Sequence, residues 1–148
     1  MIHIIDDDSM VRETIVDIIE STQFDCLSFE SGEHYLDYMN SPDYQNPIVV
    51  VSDVKMLGIN GYDLTLRIRE RHPFQKIVLI SGESTGEFKL SAEAELCHYL
   101  FKPFNPGRLI DTLNTLASCG ASHQEGKSNY PKQCHHEKHR SCPFHCEK

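Results

Sequence analysis

The chain has 148 residues, of which 39% are hydrophobic and 24% charged, and its formal net charge is −8. This length allows one domain with its own core plus an appendage. The apolar runs are shorter than the roughly 18 residues that a membrane span needs, and the N-terminus lacks the basic and long apolar regions of a signal peptide. We therefore expect a soluble, cytoplasmic protein without membrane contact.

Charge and cysteine divide the chain into two parts. Residues 1–118 carry 9 Lys/Arg against 19 Asp/Glu, a net charge of −10, whereas residues 119–148 carry 5 against 3, a net charge of +2. An acidic body repels nucleic acid, so no direct nucleic-acid binding is expected. Four of the six cysteines lie in residues 119–148. We predict a folded domain over residues 1–118 and a Cys/His-rich tail over residues 119–148.

Strand and helix signals alternate along the first part. The predicted strands are residues 2–5, 25–29, 48–52, 76–80 and 98–101. Each is followed by a helix signal, at about residues 9–21, 31–39, 61–71, 87–96 and 106–117. Ser9 is a plausible N-cap of the first helix, and Asp8 is a second residue expected to cap it. Five strands alternating with five helices predict an α/β, doubly wound parallel sheet, for which we take the strand order 2-1-3-4-5.

Polar side chains follow the strands of this predicted sheet. Residues 48–51 are four consecutive β-branched or aliphatic residues, which indicates a strand buried on both faces, and Asp53 lies at its carboxyl end. The other strand-end residues share this placement: Asp6, Asp7 and Asp8 after the first strand, Ser81 after the fourth and Lys102 after the fifth. In the assumed strand order these side chains converge at one mouth of the sheet.

The expected chemistry of that mouth follows from its charges. Carboxylates a few ångströms apart raise each other's pKa, so a cation is needed beside them. Mg²⁺ prefers such oxygen ligands and retains waters that a phosphate oxygen can replace. The Lys102 ammonium and the Ser81 hydroxyl can each bind a phosphoryl oxygen. The pattern predicts a site that holds a phosphoryl group on a carboxylate.

Five motifs of this chain resemble the receiver domain of two-component response regulators. They are Asp6-Asp7, Asp53, Ser81-Gly82, Tyr99 and Lys102-Pro103, in an order and spacing typical of that family, over residues 1 to about 118. The resemblance implies a flavodoxin-like fold. It also implies Asp53 as the phosphoacceptor, Asp7 as a direct Mg²⁺ ligand, Asp6 as a ligand through water and the Lys55 carbonyl as a further metal contact.

The resemblance implies a switch as well. Ser81 would follow the phosphoryl group, Tyr99 would rotate with it, and Lys102 would be its ion-pair partner. The surface of the fourth helix, fifth strand and fifth helix would then change. The implied partners are a sensor histidine kinase or phosphotransfer protein as donor, and a downstream protein or a second copy as the reader. The protein would act as a switch and not as a turnover enzyme.

The chain departs from the family pattern in two places. Leu57 stands where the family usually has proline, although Gly61 keeps the glycine that opens the third helix. Ser81 and Lys102 are also one position closer along the chain than expected, and residues 96–98 replace the usual glycine-containing turn. These differences concern the loop after Asp53 and the predicted fourth helix.

A haloacid-dehalogenase-like phosphohydrolase is the alternative, because it also uses an aspartate nucleophile, a hydroxyl, a lysine and Mg²⁺. Asp6-Asp7-Asp8 even contains an Asp-x-Asp motif. That family, however, needs a second acidic pair after its lysine. The nearest acid after Lys102 is Asp111, inside a predicted helix, and the chain is too short for a cap domain.

The tail concentrates potential zinc ligands. Residues 134–146 contain seven cysteines and histidines, with Cys142 and Cys146 separated by three residues and His139 and Cys142 by two, which are intervals compatible with zinc. Cys134, His139, Cys142 and Cys146 are the candidate ligands. The alternative is a disordered tail with reduced thiols, since the composition offers too little apolar surface to fold by burial.

Overall fold

The computed structural model describes residues 1–72, 75–82 and 98–124, with only the backbone described at residues 98–99 and 118–124. The helices and strands are numbered here in chain order among these residues. The strands are β1 (Ile2–Ile5), β2 (Cys26–Phe29), β3 (Val49–Asp53), β4 (Lys76–Ser81) and β5 (His98–Phe101). The helices are α1 (Ser9–Glu20), α2 (Gly32–Met39), α3 (Gly61–Arg71) and α4 (Pro106–Gln124).

The five strands form one parallel sheet in the order β2-β1-β3-β4-β5, which confirms the predicted architecture. β1 therefore lies between β2 and β3. Its last residue, Ile5, pairs with Phe29 on one side and with Ser52 on the other. This register places the residues that follow β1 beside Asp53 at the end of β3.

Each face of the sheet has its own core, because alternate residues of a strand point to opposite faces. On one face, Val49 and Val51 pack in a cluster with residues of α1 and α4. On the other face, Val50 packs in a second cluster with residues of α2 and α3. The five residues of β3 are all buried, so this strand holds its terminal aspartate on a rigid support.

Several boundaries differ from the prediction. The N-cap of α1 is Asp8 and not Ser9: the Asp8 carboxylate accepts hydrogen bonds from the N–H groups of Met10 and Val11, at 2.9 and 3.3 Å. A carboxylate satisfies these N–H groups and complements the positive end of the helix. β3 begins one residue later than predicted and includes Asp53. The last helix continues beyond residue 117, where its apolar spacing ends, to Gln124.

Part of the prediction lies outside the described residues. This applies to the helix over residues 87–96 and to the tail ligands Cys134, His139, Cys142 and Cys146. The zinc site therefore stays a prediction. Within the described ranges, no helix is both long and apolar enough to cross a membrane.

Gly61 allows α3 to begin very close to the end of β3. A Cβ atom at this position would collide with the carbonyl oxygen of Asp53 and would lie 3.0 Å from the Cα of Val54. The Gly61 N–H in turn donates to the Val54 carbonyl at 2.9 Å. The glycine that the sequence placed at the start of this helix is thus required by a close approach of the two backbones.

β1 carries a histidine, His3, that is buried in the core. The His3 side chain is 0% exposed and lies in the α2/α3 layer, where its Nδ1 is 3.0 Å from the Tyr35 hydroxyl. Its Nε2 is buried and has no hydrogen-bond partner among the described residues. Burial lowers the pKa of His3 from 6.5 to about 4, so the ring is neutral near pH 7.

The depressed pKa of His3 makes folding sensitive to acid. The unfolded chain takes up the proton as the pH falls through 6.5, whereas the folded chain does so only near 4, so stability is lost between these values. We expect the wild type to lose about 2 kcal/mol more than His3→Leu between about pH 7 and pH 5. Urea unfolding of both proteins at both pH values measures this difference, and equal losses would contradict it.

Candidate functional site

Three carboxylates meet at the carboxyl ends of β1 and β3. One oxygen each from Asp6, Asp7 and Asp53 lies within 4.8 Å of the other two. Asp6 and Asp7 follow β1, and Asp53 ends β3, so the adjacency of these two strands in the sheet produces the cluster. The sequence predicted this convergence for all three residues, and the structure confirms it.

Asp6 is the deepest of the three, with 1% of its surface exposed. Its Oδ1 accepts a hydrogen bond from the Asp8 N–H at 2.9 Å, and its carbonyl oxygen accepts one from Arg12 Nη1 at 2.7 Å. Its Oδ2 is buried and has no hydrogen-bond partner among the described residues. Burial raises the pKa of Asp6 from 3.8 to about 6, and the nearby Asp53 charge adds to the effect.

The Asp53 carboxylate is held by a backbone N–H group and by a positively charged side chain. Its Oδ1 accepts a hydrogen bond from the Val54 N–H at 2.9 Å and lies 3.4 Å from the Lys102 ammonium. Burial raises the pKa of Asp53, and the Lys102 charge opposes this shift without cancelling it. The direction of the carboxylate is therefore fixed, but its negative charge is only partly neutralised by Lys102.

Lys102 links the carboxylate cluster to the ends of β4 and β5. Its Nζ lies 3.4 Å from Asp53 Oδ1 and 3.9 Å from Asp6 Oδ2. Its backbone N–H donates to the Ser81 carbonyl at 2.7 Å, and Ser81 is itself buried at the end of β4. The predicted lysine thus reaches both buried carboxylates, and the predicted hydroxyl residue is its backbone neighbour.

The remaining predicted residues lie at different places. Asp7 is exposed, and its Oδ2 accepts a hydrogen bond from the Leu57 N–H at 3.0 Å. Asp8 caps α1 and does not join the cluster. Lys55 is exposed in the loop that follows β3. The backbone of Tyr99 pairs with Leu79 in the sheet, and its side chain is outside the described part of the chain.

The residues present fit a magnesium ion. The donor set consists of hard carboxylate oxygens, which Mg²⁺ prefers, and the oxygens are close enough to share one cation. Asp6 Oδ2 is also buried, has no hydrogen-bond partner in the described part of the chain and lies 3.9 Å from the Lys102 ammonium. A second positive charge would offset the raised pKa values of Asp6 and Asp53.

Sequence reasoning missed three groups around the site. Arg12 donates to the Asp6 carbonyl, the Leu57 N–H donates to Asp7, and Glu33 Oε1 accepts a hydrogen bond from the Ile59 N–H at 2.7 Å. Arg12 had no sequence signal, since it lies on a helix face whose orientation was unknown. Leu57 did have one, because a residue other than proline provides an N–H at this position.

Comparison with known proteins identifies the class. The model of the response regulator receiver domain matches residues 2–114, and the chain therefore belongs to this family. It is 31% identical over 123 residues to the DNA-binding transcriptional regulator NtrC of Klebsiella pneumoniae, which covers 82% of this chain and 25% of NtrC. It is 30% identical over 129 residues to the transcriptional regulatory protein FixJ of Azorhizobium caulinodans, covering 85% of this chain and 58% of FixJ.

Solved structures agree on the fold. The receiver domain of NtrX from Brucella abortus matches with a TM-score of 0.71 at 24% identity, covering 80% of this chain and 98% of that domain. A receiver domain from Methanospirillum hungatei matches with a TM-score of 0.70 at 23% identity, covering 82% and 96%. The chain spans only about a quarter of the length of NtrC and 58% of that of FixJ.

The family match decides between the two predicted functions. The chain has a receiver domain of a two-component response regulator, and receiver domains bind Mg²⁺ at an acidic pocket of this kind. The phosphohydrolase alternative has no support from the comparisons. Asp111, the nearest acid after Lys102 along the chain, is exposed on α4.

The position of Lys102 predicts an effect on cation binding. Its ammonium lies where it partly neutralises Asp53 and Asp6, so Lys102→Met should leave more uncompensated negative charge and bind Mg²⁺ about three- to tenfold more tightly. Calorimetric titration with MgCl₂ measures the affinity. The control is Arg71→Met, which removes one positive charge from the last residue of α3, close to where β4 begins and so at the end of the strands opposite the carboxylates. Unchanged or weaker binding by Lys102→Met would contradict the prediction.

Proposed function

We propose that this chain accepts a phosphoryl group on Asp53 from a phosphohistidine of a sensor histidine kinase or phosphotransfer protein. The observation that carries the proposal is the environment of the Asp53 carboxylate. Its Oδ1 is engaged by the Val54 N–H and the Lys102 ammonium at the mouth of the sheet. The second oxygen, Oδ2, is the nucleophile in this proposal.

The reaction exchanges one bond to phosphorus for another. An Asp53 carboxylate oxygen attacks the phosphorus atom, a P–O bond forms, and the P–N bond to the donor imidazole breaks. The electron pair of that bond stays on the imidazole nitrogen, which takes a proton from solvent. Asp7, Asp53 and the Lys55 carbonyl, with Asp6 through a water, would hold Mg²⁺, which would supply positive charge for the phosphoryl oxygens.

The chain's own residues have separate roles in this step. Asp53 is held in direction by the Val54 N–H, so the nucleophile is oriented before the donor arrives. Lys102 exchanges its partner in this step, because its ammonium can pair with a phosphoryl oxygen in place of the Asp53 oxygen that it contacts in this structure. Ser81 provides a hydroxyl at the end of β4 for another phosphoryl oxygen.

The proposed outcome of phosphorylation is a changed conformation of the chain itself and not the release of a product. A phosphoryl group adds negative charge at Asp53, draws Ser81 toward it and leaves space into which Tyr99 turns. We call residues 83–118 the switch surface, and propose that a downstream protein or a second copy of this chain reads it. The Ser81 carbonyl supports this route, because it is bonded to the Lys102 N–H across β4 and β5.

Substitution of the phosphoacceptor tests the proposal. Asp53→Asn keeps the size of the side chain but removes the nucleophile, so uptake of label from acetyl phosphate with Mg²⁺ should fall at least about a hundredfold. Asp17→Asn, an exposed acid on α1, is the matched control and should be labelled normally. The label should also be released by hydroxylamine, as expected of an acyl phosphate. Undiminished labelling of Asp53→Asn would refute the assignment.

The switch surface has its own test. Beryllofluoride, which imitates the phosphoryl group, should change hydrogen exchange within residues 83–118, because the two packings protect different amide groups. Asp53→Asn with beryllofluoride should exchange as the untreated protein does. Identical exchange in the treated and untreated wild type would contradict the switch while leaving phosphoryl uptake intact.

A further inference from the structure

The loop between β3 and α3, residues 54–60, is tied to two other parts of the fold by carboxylates. Asp7 Oδ2 accepts a hydrogen bond from the Leu57 N–H at 3.0 Å. Glu33 Oε1 accepts one from the Ile59 N–H at 2.7 Å. Asp7 follows β1, and Glu33 lies in the first turn of α2, so neither anchor belongs to the elements that flank the loop.

The packing around Glu33 is built for this contact. A Cβ atom on Gly32 would collide with the side chain of Ile59, and one on Gly58 would collide with the Glu33 carboxylate. Gly58 also has a φ of 82°, which other residues rarely adopt. Glycines on both sides therefore permit a close approach of the loop to the start of α2. The Ile59 N–H lowers the pKa of Glu33, consistent with a contact to the ionised carboxylate.

The backbone of Leu57 forms the contact between the loop and Asp7. Its side chain is 82% exposed, and the contact with Asp7 is made by its N–H. The receiver family usually has proline at this position, and proline has no N–H to donate. This chain can thus form a hydrogen bond between the loop and an acid of the pocket that a chain with proline cannot form.

We propose that the Leu57 N–H and the Glu33 carboxylate are positioning groups for the Mg²⁺ site, and we call the pair the loop clamp. The loop carries Lys55, whose carbonyl is a proposed metal ligand, and the clamp fixes that loop relative to Asp7. The inference rests on the proposed function, since it concerns the same metal. Neither group of the clamp is itself proposed to contact the ion.

The physical reason is preorganisation. A metal ion that binds an unanchored loop must order it, and the lost conformational freedom weakens binding. The Leu57 N–H bond also orients the exposed Asp7 carboxylate through Oδ2, which leaves its other oxygen for the cation. Groups that orient metal ligands in this way typically change metal affinity by about ten- to a hundredfold when they are removed.

Two substitutions remove the two anchors separately. Leu57→Pro removes the N–H, and Glu33→Ala removes the acceptor; each should weaken Mg²⁺ binding about tenfold in calorimetric titrations with MgCl₂ alone. Glu33→Gln retains an acceptor oxygen and should lose only about threefold. Because both anchors hold one loop, the double variant should lose less than the product of the two single losses. Labelling by acetyl phosphate should recover in each variant at saturating Mg²⁺.

Matched controls separate the clamp from general effects. Leu57→Ala shortens the side chain but keeps the N–H, so its Mg²⁺ affinity should stay within about twofold of the wild type. Asp37→Asn removes an equal charge from an exposed position one turn further along α2 and controls for the loss of negative charge. A readout without metal is the hydrogen exchange of the Ile59 amide, which should quicken in Glu33→Ala but not in Asp37→Asn.

The outcomes distinguish the clamp from the proposed function. A wild type that binds no Mg²⁺ and takes no label would overturn the proposed function, and the clamp with it. A wild type that binds Mg²⁺, with Leu57→Pro and Glu33→Ala binding equally well or more tightly, would overturn the clamp alone. Leu57→Ala or Asp37→Asn losing as much affinity as its partner variant would also refute it, because the loss would then not follow the hydrogen bond.

Discussion

Crowding of negative charge at the ends of β1 and β3 is the constraint on which the site depends. Oxygens of Asp6, Asp7 and Asp53 lie within 4.8 Å of one another, and Lys102 supplies one positive charge among them. That charge is insufficient, since the pKa values of Asp6 and Asp53 stay raised beside it. The metal-free site is therefore a place where added positive charge lowers the free energy, and this is what gives it an affinity for a divalent cation.

The sheet order explains how such a site is tolerated. β3 and β4 are buried along their whole length, and the clusters on the two faces hold the strand ends in place. Repulsion between the carboxylates then cannot be relieved by moving the strands apart without exposing apolar surface on both faces. The like charges remain together because the hydrophobic cores resist separation more strongly than the carboxylates drive it.

The sequence was sufficient for features that follow from chain order. Consecutive β-branched residues before Asp53 predicted a strand buried on both faces, and strand ends with polar residues predicted the shared mouth. Features that depend on where two distant elements approach each other were not accessible. The Arg12 contact with the Asp6 carbonyl and the contact of Glu33 with the Ile59 N–H depend on side-chain directions. Periodicity does not determine such directions.

The buried and the exposed side chains of the site differ in how easily they can move and exchange partners. Asp6 and Asp53 are fixed by backbone N–H groups, so they serve as a rigid reference. Lys102 is 28% exposed, on a long flexible stem, and exchanges partners more easily. Its backbone is joined to Ser81 across the sheet. In the proposed phosphorylated state, the new negative charge at Asp53 would therefore act first on the ammonium of Lys102 and then on the junction of β4 and β5. β5 is the edge strand of this junction, so the change would reach the surface there.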